Sequence, residues 1–427
     1  MQRVLVAASP IYGHFNPLRV VAEHLAEVGY RVTVLCHESF RGAIRSPKVR
    51  FVPFTGQAAT DPDAVIHSGR RLSIPPGPGR RDWDLRHVFL EPMAAQHRDI
   101  QRIIGQANGE PVLLVYETMF FGAVPSLLGA DGPRPSAALG LGPVSFTLSS
   151  RDTAPFGMGL PPAVDEEGRA RNRDAYVLIR RELGPLQDLF EQTLADLGAA
   201  PSPAPFFLDS TIQAPDAFLQ MSIEELSYRR GDTPAHVRFI GALPTPPETA
   251  ALPEWWADLD KAGRVIAVTQ GTLANRDFSE LIEPTLEGLS DFPGIVVAAT
   301  GRDGLPRVTP ANARIAPYIP FGALLPRTEA LVTNGGFGAV QQALGFGKPL
   351  VVAGLSEEKR ENNVRVATTG AAIDLATNRP SPAEVHDAVE SLTSTPSYRE
   401  NAERLALEYA KHDALAEIEA TVADLTA

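Results

Sequence analysis

One stretch constrains the fold of this chain more than any other: residues 331–359, which read LVTNGGFGAVQQALGFGKPLVVAGLSEEK. It starts within a short apolar run typical of a buried strand, and Asn334-Gly335-Gly336 interrupts that run. Apolar residues then recur at helical spacing over 337–346, and 349–353 gives the next strand. This order predicts a parallel α/β sheet. Because glycines let a ligand approach the backbone and the first helical turn offers unpaired N–H groups, the turn also predicts a phosphate site.

The N-terminus begins with a second unit of the same kind. The run 4–8 predicts a strand, 9–15 a loop, Asn16-Pro17 the cap and first turn of a helix, and 31–36 the next strand. This is the βαβ start of a doubly wound sheet, and His14 lies past the carboxyl end of its first strand, where such sheets bind ligands. The dinucleotide fingerprint G-x-G-x-x-G is absent from this turn, which argues against a nicotinamide-dependent dehydrogenase.

The rest of the chain alternates strands and helices, and a proline-rich segment at 243–248 interrupts this rhythm. Further strands are predicted at 51–54, 111–116, 135–139, 217–221, 237–240, 264–271 and 294–300. A loop is predicted at 55–82, and single long helices at 89–104, 175–197 and 399–425. A length of 427 residues suits two domains. We predict a first domain over 1–243, a linker over 244–262, a second domain over 263–405, and a C-terminal helix over 406–427 that packs back toward the first domain.

The composition argues against several classes of function. The formal net charge of -12 disfavours a nucleic-acid groove and an anionic membrane surface, since both require a basic patch. Cys36 is the only cysteine, so no intrachain disulfide forms and a reducing compartment is expected. The first apolar run is too short for a signal peptide or a membrane span, which leads to a cytoplasmic prediction. The sequence leaves open whether the protein is a monomer or a homodimer.

Motifs in both halves carry a family resemblance. Residues 13–17 read GHFNP and match the pattern GHxxP, while residues 318–365 contain YIPF, TNGGFG, a G-x-P step and Glu358-Lys359-x-x-Asn362-x-x-Arg365. Together they resemble the UDP-glycosyltransferase superfamily, and in particular its bacterial macrolide-glycosyltransferase-like branch. The resemblance implies the α/β GT-B fold, in which two Rossmann-like doubly wound domains face each other across a cleft and a C-terminal helix crosses back. It assigns the acceptor to the first domain and the nucleotide sugar to the second.

The resemblance assigns catalysis to His14 and Glu117. The histidine of the family is the general base that removes the proton from the acceptor hydroxyl, and an acidic residue at the end of a strand contacts it. That residue is usually aspartate, and Glu117 occupies its position here. A carboxylate on one ring nitrogen fixes the tautomer and stabilises the imidazolium that forms. The alternative is that Glu117 is a surface carboxylate that caps the helix beginning near Gly122.

The signature also implies a donor site. Gly271 and Thr272 are assigned to the donor phosphates, together with the backbone N–H groups of residues 335–338. Tyr318 is assigned to stack on the base, Ile319 to read the base edge through its backbone, and Gln342 to bind the ribose. Glu358 is assigned to the sugar hydroxyls. The complete predicted donor set is Gly271, Thr272, Tyr318, Ile319, Asn334, Gly335, Gly336, Phe337, Gly338, Gln342, Glu358 and Lys359.

The donor signature departs from the family at several positions. Tyr318 replaces a tryptophan, Gln342 a glutamate, Asn334 a phosphate-binding histidine, and Lys359 the glutamine that follows the acidic sugar residue. Lys359 has three interpretations: it restores positive charge near the diphosphate, it selects an anionic or deoxy sugar, or it is a solvated lysine at a helix start. The donor sugar therefore stays open, as does the choice between uridine and thymidine diphosphate.

Apolar side chains around a loop at 149–162 suggest walls for an acceptor molecule, with ordinary core packing as the alternative. They are Phe89, Met93, Met119, Phe120, Phe156 and Met158. No DxD pair or His/Cys cluster has ligand spacing where a metal would be needed, so we predict neither a metal nor a cofactor, and the nucleotide sugar is a substrate.

The sequence therefore predicts an inverting, metal-independent glycosyltransferase. It moves a sugar, UDP-glucose being the default donor, to a hydroxyl group of a hydrophobic macrolide, polyketide or phenolic. Two alternatives remain. One is a nucleotide-sugar epimerase or hydrolase with the same fold, which would turn over its donor without an acceptor. The other is a non-catalytic partner of a transferase that binds a nucleotide sugar.

Overall fold

The first half of the chain builds a seven-stranded sheet. The computed structural model describes residues 2–75, 77–244, 252–271, 275, 277–356 and 358–427. The strands of the first sheet are β1 (Arg3–Ala7), β2 (Arg31–Cys36), β3 (Arg50–Pro53), β4 (Val112–Glu117), β5 (Ala137–Gly142), β6 (Ala217–Gln220) and β7 (Val237–Phe239). They lie in the order β3-β2-β1-β4-β5-β6-β7. Each neighbouring pair is parallel.

The second half builds a six-stranded parallel sheet. Its strands are β8 (Val265–Thr269), β9 (Ile295–Ala299), β10 (Ala313–Ala316), β11 (Ala330–Thr333), β12 (Leu350–Val352) and β13 (Ala372–Asp374). They lie in the order β10-β9-β8-β11-β12-β13. The central strands, such as β8 (VIAVT) and β9 (IVVAA), are buried along their whole length. Continuous apolar strands of this kind are typical of parallel sheets that helices cover on both faces.

Helices connect the strands. In the first half they are α1 (Tyr12–Glu27), α2 (Pro62–Ile66), α3 (Gly69–Leu72), α4 (Pro78–Asp84), α5 (Met93–Gly105), α6 (Val124–Leu127), α7 (Glu166–Glu182), α8 (Gly184–Asp196) and α9 (Phe207–Gln213). In the second half they are α10 (Ile282–Gly288), α11 (Phe321–Leu324), α12 (Phe337–Gly345), α13 (Lys359–Thr368), α14 (Pro382–Ser394), α15 (Pro396–Tyr409) and α16 (Ala414–Thr426). Among the described residues, no helix is long and apolar enough to cross a bilayer.

The last helix, α16, packs on the first half of the molecule. Its buried residues Ala414, Ile418 and Val422 belong to the same apolar cluster as the core of the first sheet. The preceding helix, α15, instead packs on the second half through Leu405 and Tyr409. The chain therefore crosses back between these two helices, as the GT-B architecture requires.

Strand order places a topological switch point in each sheet. In the first sheet the chain winds outward from β1 to β2 and β3, and then returns to the other side of β1 with β4. The second sheet repeats the pattern, because β9 and β10 lie on one side of β8 and β11 on the other. Ligands bind outside the carboxyl ends of the strands at such points. Every residue between β1 and α1, or between β11 and α12, is therefore near a binding crevice by topology alone.

Several sequence predictions on local structure were wrong. The helix α1 begins at Tyr12, with Ile11 as its N-cap, so Pro17 lies inside the helix and Asn16 does not cap it. The predicted helix at 175–197 is two helices, and Pro185 lies in the first turn of the second. The predicted helix at 399–425 is also two, because residues 410–413 separate α15 from α16. The predicted loop at 55–82 contains the short helices α2, α3 and α4.

Three more findings concern the start of a helix, an unpredicted strand and the linker. The helix predicted at 89–104 begins only at Met93 in regular α form, after a π-helical turn at Leu85–Leu90. The strand β13 was not predicted, because its three residues carry too short an apolar pattern. The predicted linker at 244–262 lies partly outside the described residues, and its described part contains a 3-10 turn at Glu254–Asp258.

Candidate active site

His14 and Glu117 meet at the switch point of the first sheet. His14 lies in the first turn of α1, directly after β1, and Glu117 is the last residue of the neighbouring strand β4. The His14 Nδ1 atom is 2.8 Å from Glu117 Oε2. The Glu117 side chain is fully buried, whereas the His14 side chain is 13% exposed. The sequence alternative, in which Glu117 is a surface carboxylate, is therefore wrong.

Backbone donors hold the Glu117 carboxylate in place. The N–H of Ser9 donates to Oε1 at 3.1 Å, and the N–H of Met119 donates to Oε2 at 2.7 Å. A buried carboxylate that accepts several hydrogen bonds is stabilised in its charged form. Nδ1 of His14 therefore faces an anionic acceptor and carries the proton, which leaves Nε2 as the basic atom of the neutral ring.

Two carboxylates tune the basicity of His14. Burial lowers the pKa of His14, but the charge of Glu117, the hydrogen bond to Glu117 and the charge of Glu358 together outweigh burial. The pKa of His14 consequently lies above its ordinary value. Burial raises the pKa of Glu117, and the charge and hydrogen bond of His14 together with the bonds from Ser9 and Met119 hold that pKa below its ordinary value.

The charge of Glu358 acts on His14 from the other half of the molecule. Glu358 belongs to the second half of the chain and is the N-cap residue of α13, after β12. Its charge acts on the His14 ring, which lies in the first half. The ring also contacts Phe89, with the two ring centroids 5.9 Å apart. His14 and Glu358, which belong to different halves, therefore lie close enough for their charges to interact.

The glycine turn after β11 has a backbone that other residues do not tolerate. Gly335 has a φ of +90°, and a Cβ atom on it would lie 1.7 Å from Oδ1 of Asn363. Gly336 is the N-cap of α12, and the first intrahelical hydrogen bond runs from the N–H of Val340 to the carbonyl of Gly336. The N–H groups of Phe337 and Gly338 precede that bond, so they lie at the positive end of the helix dipole.

Asn334 and Lys359 lie together beside this turn. Nδ2 of Asn334 donates to the carbonyl of Gln270 at 2.6 Å, which joins the end of β8 to the turn. Its Oδ1 accepts a long hydrogen bond of 3.4 Å from the N–H of Gly336. Lys359 is only 5% exposed, so the interpretation as a solvated lysine is wrong. Asn334 and Lys359 line the same small crevice, together with Gln270 and Gly354.

The remaining donor residues differ in accessibility. Tyr318 is 57% exposed in the loop after β10, and the neighbouring Ile319 side chain is buried. Gln342 is half-buried on α12, whereas the Phe337 side chain is buried in the core of the second half. Gly271 lies just after β8, which ends at Thr269, and has a φ of +70°. Thr272 lies outside the described residues.

The predicted acceptor set splits into two groups. Phe89, Met119, Phe156 and Met158 are partly accessible, and Phe89 contacts the His14 ring. Met93 and Phe120 are fully buried in core clusters, so the structure contradicts their prediction as pocket walls. Met93 lies on a helix and Phe120 follows a strand, and both side chains face the interior. The sequence pattern of such residues is the same as that of residues that line a ligand pocket.

Sequence reasoning missed several residues that shape the site. Ser9 and Gln270 make the backbone contacts described above, and Oδ1 of Asn363 fills the space beside Gly335. Asn362 and Arg365 were part of the family signature, but no role was assigned to them. Among the described residues, one group has the spacing of metal ligands: His386, Asp387 and Glu390. All of them are exposed on α14, and none belongs to the predicted site.

Comparison with known proteins gives a consistent result. Residues 283–425 match the family described as "Erythromycin biosynthesis protein CIII-like, C-terminal domain". The chain is 38% identical to UDP-glycosyltransferase 2 of Phaeomoniella chlamydospora, over 99% of this chain and 96% of that protein. It is 35% identical to 4'-demethylrebeccamycin synthase of Lentzea aerocolonigenes, over 97% of each chain.

Solved structures share the fold at lower identity. The glycotransferase of kitacinnamycin superposes with a TM-score of 0.74 and 19% identity, covering 100% of both chains. The glycosyltransferase SnogD from Streptomyces nogalater superposes with a TM-score of 0.67 and 20% identity, again over 100% of both chains. At these identities the likeness concerns the fold alone, which is the two-domain α/β architecture described above.

Proposed function

Because this chain belongs to the UDP-glycosyltransferase family, we propose that it transfers a sugar from a nucleoside diphosphate to a hydroxyl group of a hydrophobic small molecule, with inversion at the anomeric carbon. One observation carries the proposal. A histidine held by a buried carboxylate lies at the switch point of the first sheet, within electrostatic reach of Glu358 beside the glycine turn of the second. A base and a diphosphate site on opposite walls of one cleft suit a direct displacement.

The first half supplies the proton acceptor. The acceptor hydroxyl donates its proton to Nε2 of His14, and its oxygen attacks the anomeric carbon of the sugar. Glu117 keeps Nδ1 protonated, orients the ring and balances the positive charge that the imidazolium acquires. Phe89, against the ring, offers apolar surface for the acceptor. The partial accessibility of Met119, Phe156 and Met158 adds to that surface.

The second half stabilises the leaving group. As the new bond forms, the bond between the anomeric carbon and the diphosphate oxygen breaks, and its electron pair remains on the diphosphate. The N–H groups of Gly336, Phe337 and Gly338 and the dipole of α12 lie where that charge develops. Lys359 lines the adjoining crevice, and we assign its positive charge to the diphosphate. Glu358 receives the sugar hydroxyls.

The donor preference follows from the same residues. Tyr318 offers an exposed ring for the base, and Gln342 offers a neutral amide for the ribose. UDP-glucose is the starting hypothesis for the donor, and thymidine diphosphate sugars are the second. One relative is named a UDP-glycosyltransferase and another a 4'-demethylrebeccamycin synthase, and these names support a UDP-sugar donor and a natural-product acceptor as the first compounds to test here.

The test begins with binding and ends with transfer. UDP, TDP and their glucose conjugates are added to the purified full chain, and the melting temperature is measured. A ligand present at 100 times its Kd stabilises the folded state by about 2.7 kcal/mol. The protein is then incubated with the best donor and a panel of phenols and macrolides, and both glycosylated product and nucleotide release are measured. Donor turnover without any acceptor would indicate hydrolysis or epimerisation instead.

The variant His14→Ala tests whether His14 is needed for transfer and not for donor binding. We expect this variant to bind the donor as the wild type does and to lose transfer by about 10² to 10⁴-fold, the usual contribution of a general base. The matched control is His24→Ala, because His24 lies on the same helix and pairs with Glu419. That variant should retain full activity. Wild-type transfer rates in His14→Ala would remove His14 from the mechanism.

A further inference from the structure

Two consecutive asparagines of α13 support the glycine turn from below. Asn362 is 2% exposed, and its Nδ2 donates to the carbonyl of Gly335 at 3.0 Å. Asn363 is fully buried, and its Nδ2 donates to the carbonyl of Gly354 at 3.0 Å. Its Oδ1 fills the space where a Cβ atom on Gly335 would be. Side chains of α13 therefore contact and support the glycine turn.

The other end of the Asn362 side chain reaches the first half of the molecule. Oδ1 of Asn362 accepts a hydrogen bond from Oγ of Ser145, which follows β5 and is 1% exposed. One carboxamide thus bonds a residue of the acceptor half through its oxygen and the donor turn through its nitrogen. The asparagine carboxamide can do this because its acceptor oxygen and donor nitrogen are bonded to the same carbon.

The neighbouring residue on α13 makes a second contact between the halves. Oε2 of Glu361 accepts hydrogen bonds from the N–H groups of Gly157 at 3.2 Å and Gly159 at 2.9 Å. Oε1 of Glu361 pairs with Nε of Arg365 at 3.0 Å, and both side chains are buried. The segment between β12 and β13 therefore carries buried polar contacts to the first half at two places along one helix.

The bond to Gly335 controls an amide that faces the ligand. The carbonyl of Gly335 and the N–H of Gly336 belong to one planar trans peptide, so they point in opposite directions. A donor that holds the carbonyl on the buried side holds the N–H toward the cleft. Among the described residues, the hydrogen bond of that N–H is the long one of 3.4 Å to Oδ1 of Asn334. A hydrogen bond at the carbonyl also polarises the peptide and strengthens the N–H as a donor.

We propose that Asn362 is a positioning residue for the transfer reaction, which holds the diphosphate turn in register with the half of the molecule that carries His14. The inference rests on the proposed function. Asn362 touches neither substrate; it sets the direction of the Gly336 N–H and, through Ser145, the placement of that N–H relative to the first half. Its carboxamide has two arms: Nδ2, which bonds Gly335, and Oδ1, which bonds Ser145. The first arm affects donor affinity, and the second affects the rate of transfer.

The test uses three variants of the full chain. Asn362→Ala removes both arms. Asn362→Asp keeps the oxygen that Ser145 contacts but replaces the donor to Gly335 with a second oxygen. Ser145→Ala removes only the arm to the first half. The affinity for UDP and for TDP is measured by calorimetry, and kcat and donor KM are measured with the best donor and acceptor of the panel described above.

The hydrogen bond between Asn362 and Gly335 should affect the Kd for the nucleotide. We expect the Kd for the nucleotide to rise about tenfold in Asn362→Ala, and by at least as much in Asn362→Asp, because one buried hydrogen bond of the turn is lost. Ser145→Ala should change this Kd by less than about twofold while lowering kcat several-fold. Ser145→Thr, which retains the hydroxyl, should restore kcat.

A matched control separates positioning from general stability. Asn312→Ala removes a half-buried asparagine of the second half, whose Nδ2 donates to the carbonyls of Leu289 at 2.9 Å and Phe292 at 3.3 Å. It should lower the melting temperature and leave nucleotide Kd and kcat unchanged. If folded Asn362→Ala binds the nucleotide as tightly as the wild type, or if Asn312→Ala shows the same loss, the positioning role is overturned. If the wild type binds neither UDP nor TDP, the proposed function fails first, and this inference fails with it.

Discussion

The turn after β1 and the turn after β11 follow the same path and use different chemistry. Each leaves the carboxyl end of a central parallel strand and enters a helix, α1 or α12, without a side-chain cap. The first turn presents a titratable side chain, His14, supported by the buried carboxylate of Glu117. The second presents glycine N–H groups; Asn334 and Asn362 hold this turn by hydrogen bonds, and Asn363 packs against Gly335.

The difference follows from what each half of the reaction requires. Proton removal needs a group whose pKa lies near the working pH, which only a side chain with tuned surroundings provides. A leaving diphosphate needs several donors close together whose charge does not change with pH, which backbone N–H groups provide. The chain is a glycosyltransferase with the GT-B fold, and its two halves separate these requirements. The comparison makes distinct predictions for the two turns.

The largest effect is expected at the glycine turn. Gly335→Ala must adopt a φ of +90° and place its Cβ 1.7 Å from Asn363 Oδ1. We expect this change to destabilise the second half by about 3 kcal/mol or more and to abolish donor binding. Thermal melting and UDP calorimetry measure both effects.

Gly338→Ala is the matched control for stability. Gly338 lies in the first turn of α12, three residues after Gly335, and a Cβ atom on it has nothing within 4 Å. Alanine is a better helix former than glycine, so this variant should melt at the wild-type temperature or slightly above it. Equal stability of both variants would show that the turn is not held by the asparagines beneath it.

The dyad should give a change in pH dependence. Transfer needs neutral His14, so wild-type kcat/KM should rise as the pH passes upward through the raised pKa of His14. Glu117→Gln removes the negative charge that raises this pKa, so the midpoint should move to lower pH. The plateau should fall by about 10 to 100-fold, because the imidazolium loses its counter-charge. The pH profile of kcat/KM measures both.

Glu419→Gln is the control for this change, because Glu419 also pairs with a histidine, His24, but at a partly exposed site. It should leave the profile unchanged. Nucleotide binding by the glycine turn should depend little on pH in this range for wild type and for Glu117→Gln alike. A pH midpoint that stays in place in Glu117→Gln would mean that His14 is not the titrating base.

The smallest effect is expected at Tyr318, the residue proposed to stack on the nucleobase of the donor. Tyr318 is 57% exposed, and Tyr318→Ala removes the ring on which the base stacks. We expect donor KM to rise about 2 to 10-fold at unchanged kcat, which corresponds to the energy of one aromatic stacking contact. Tyr318→Phe should behave as the wild type, and Tyr318→Trp should lower KM. A drop in kcat without a change in KM would show that this ring does not contact the donor.

The sequence predicted the order and position of the strands better than the residue at which helix α1 begins. The strands β2, β6 and β11 were predicted to within one residue, because buried parallel strands are short apolar runs between turn residues. The start of α1 was wrong, because a proline after asparagine reads as a first turn. The tertiary structure instead extends that helix back to Tyr12, where the N–H groups of His14 and Phe15 donate to the carbonyl of Ile11.

The site itself was only partly predictable. The proposed roles of His14, Glu117 and the glycine turn come from motif positions, and the structure places His14 and Glu117 in direct contact. Met93 and Phe120 were misassigned, because an apolar residue beside a cleft and one in the core have the same sequence pattern. Nothing in the sequence indicated that Ser145 and Asn362, 217 residues apart, share a hydrogen bond.

By itself, the sequence determined the local chemistry: which segments become buried strands, where glycine permits a positive φ, and which titratable groups follow the strands. These properties depend on neighbouring residues and on periodicity, so they can be read along the chain. Only the tertiary structure decided the raised pKa of His14, the burial of Lys359 and the support of Gly335 by α13. Each of these depends on groups brought together from distant segments, because burial and charge act through space.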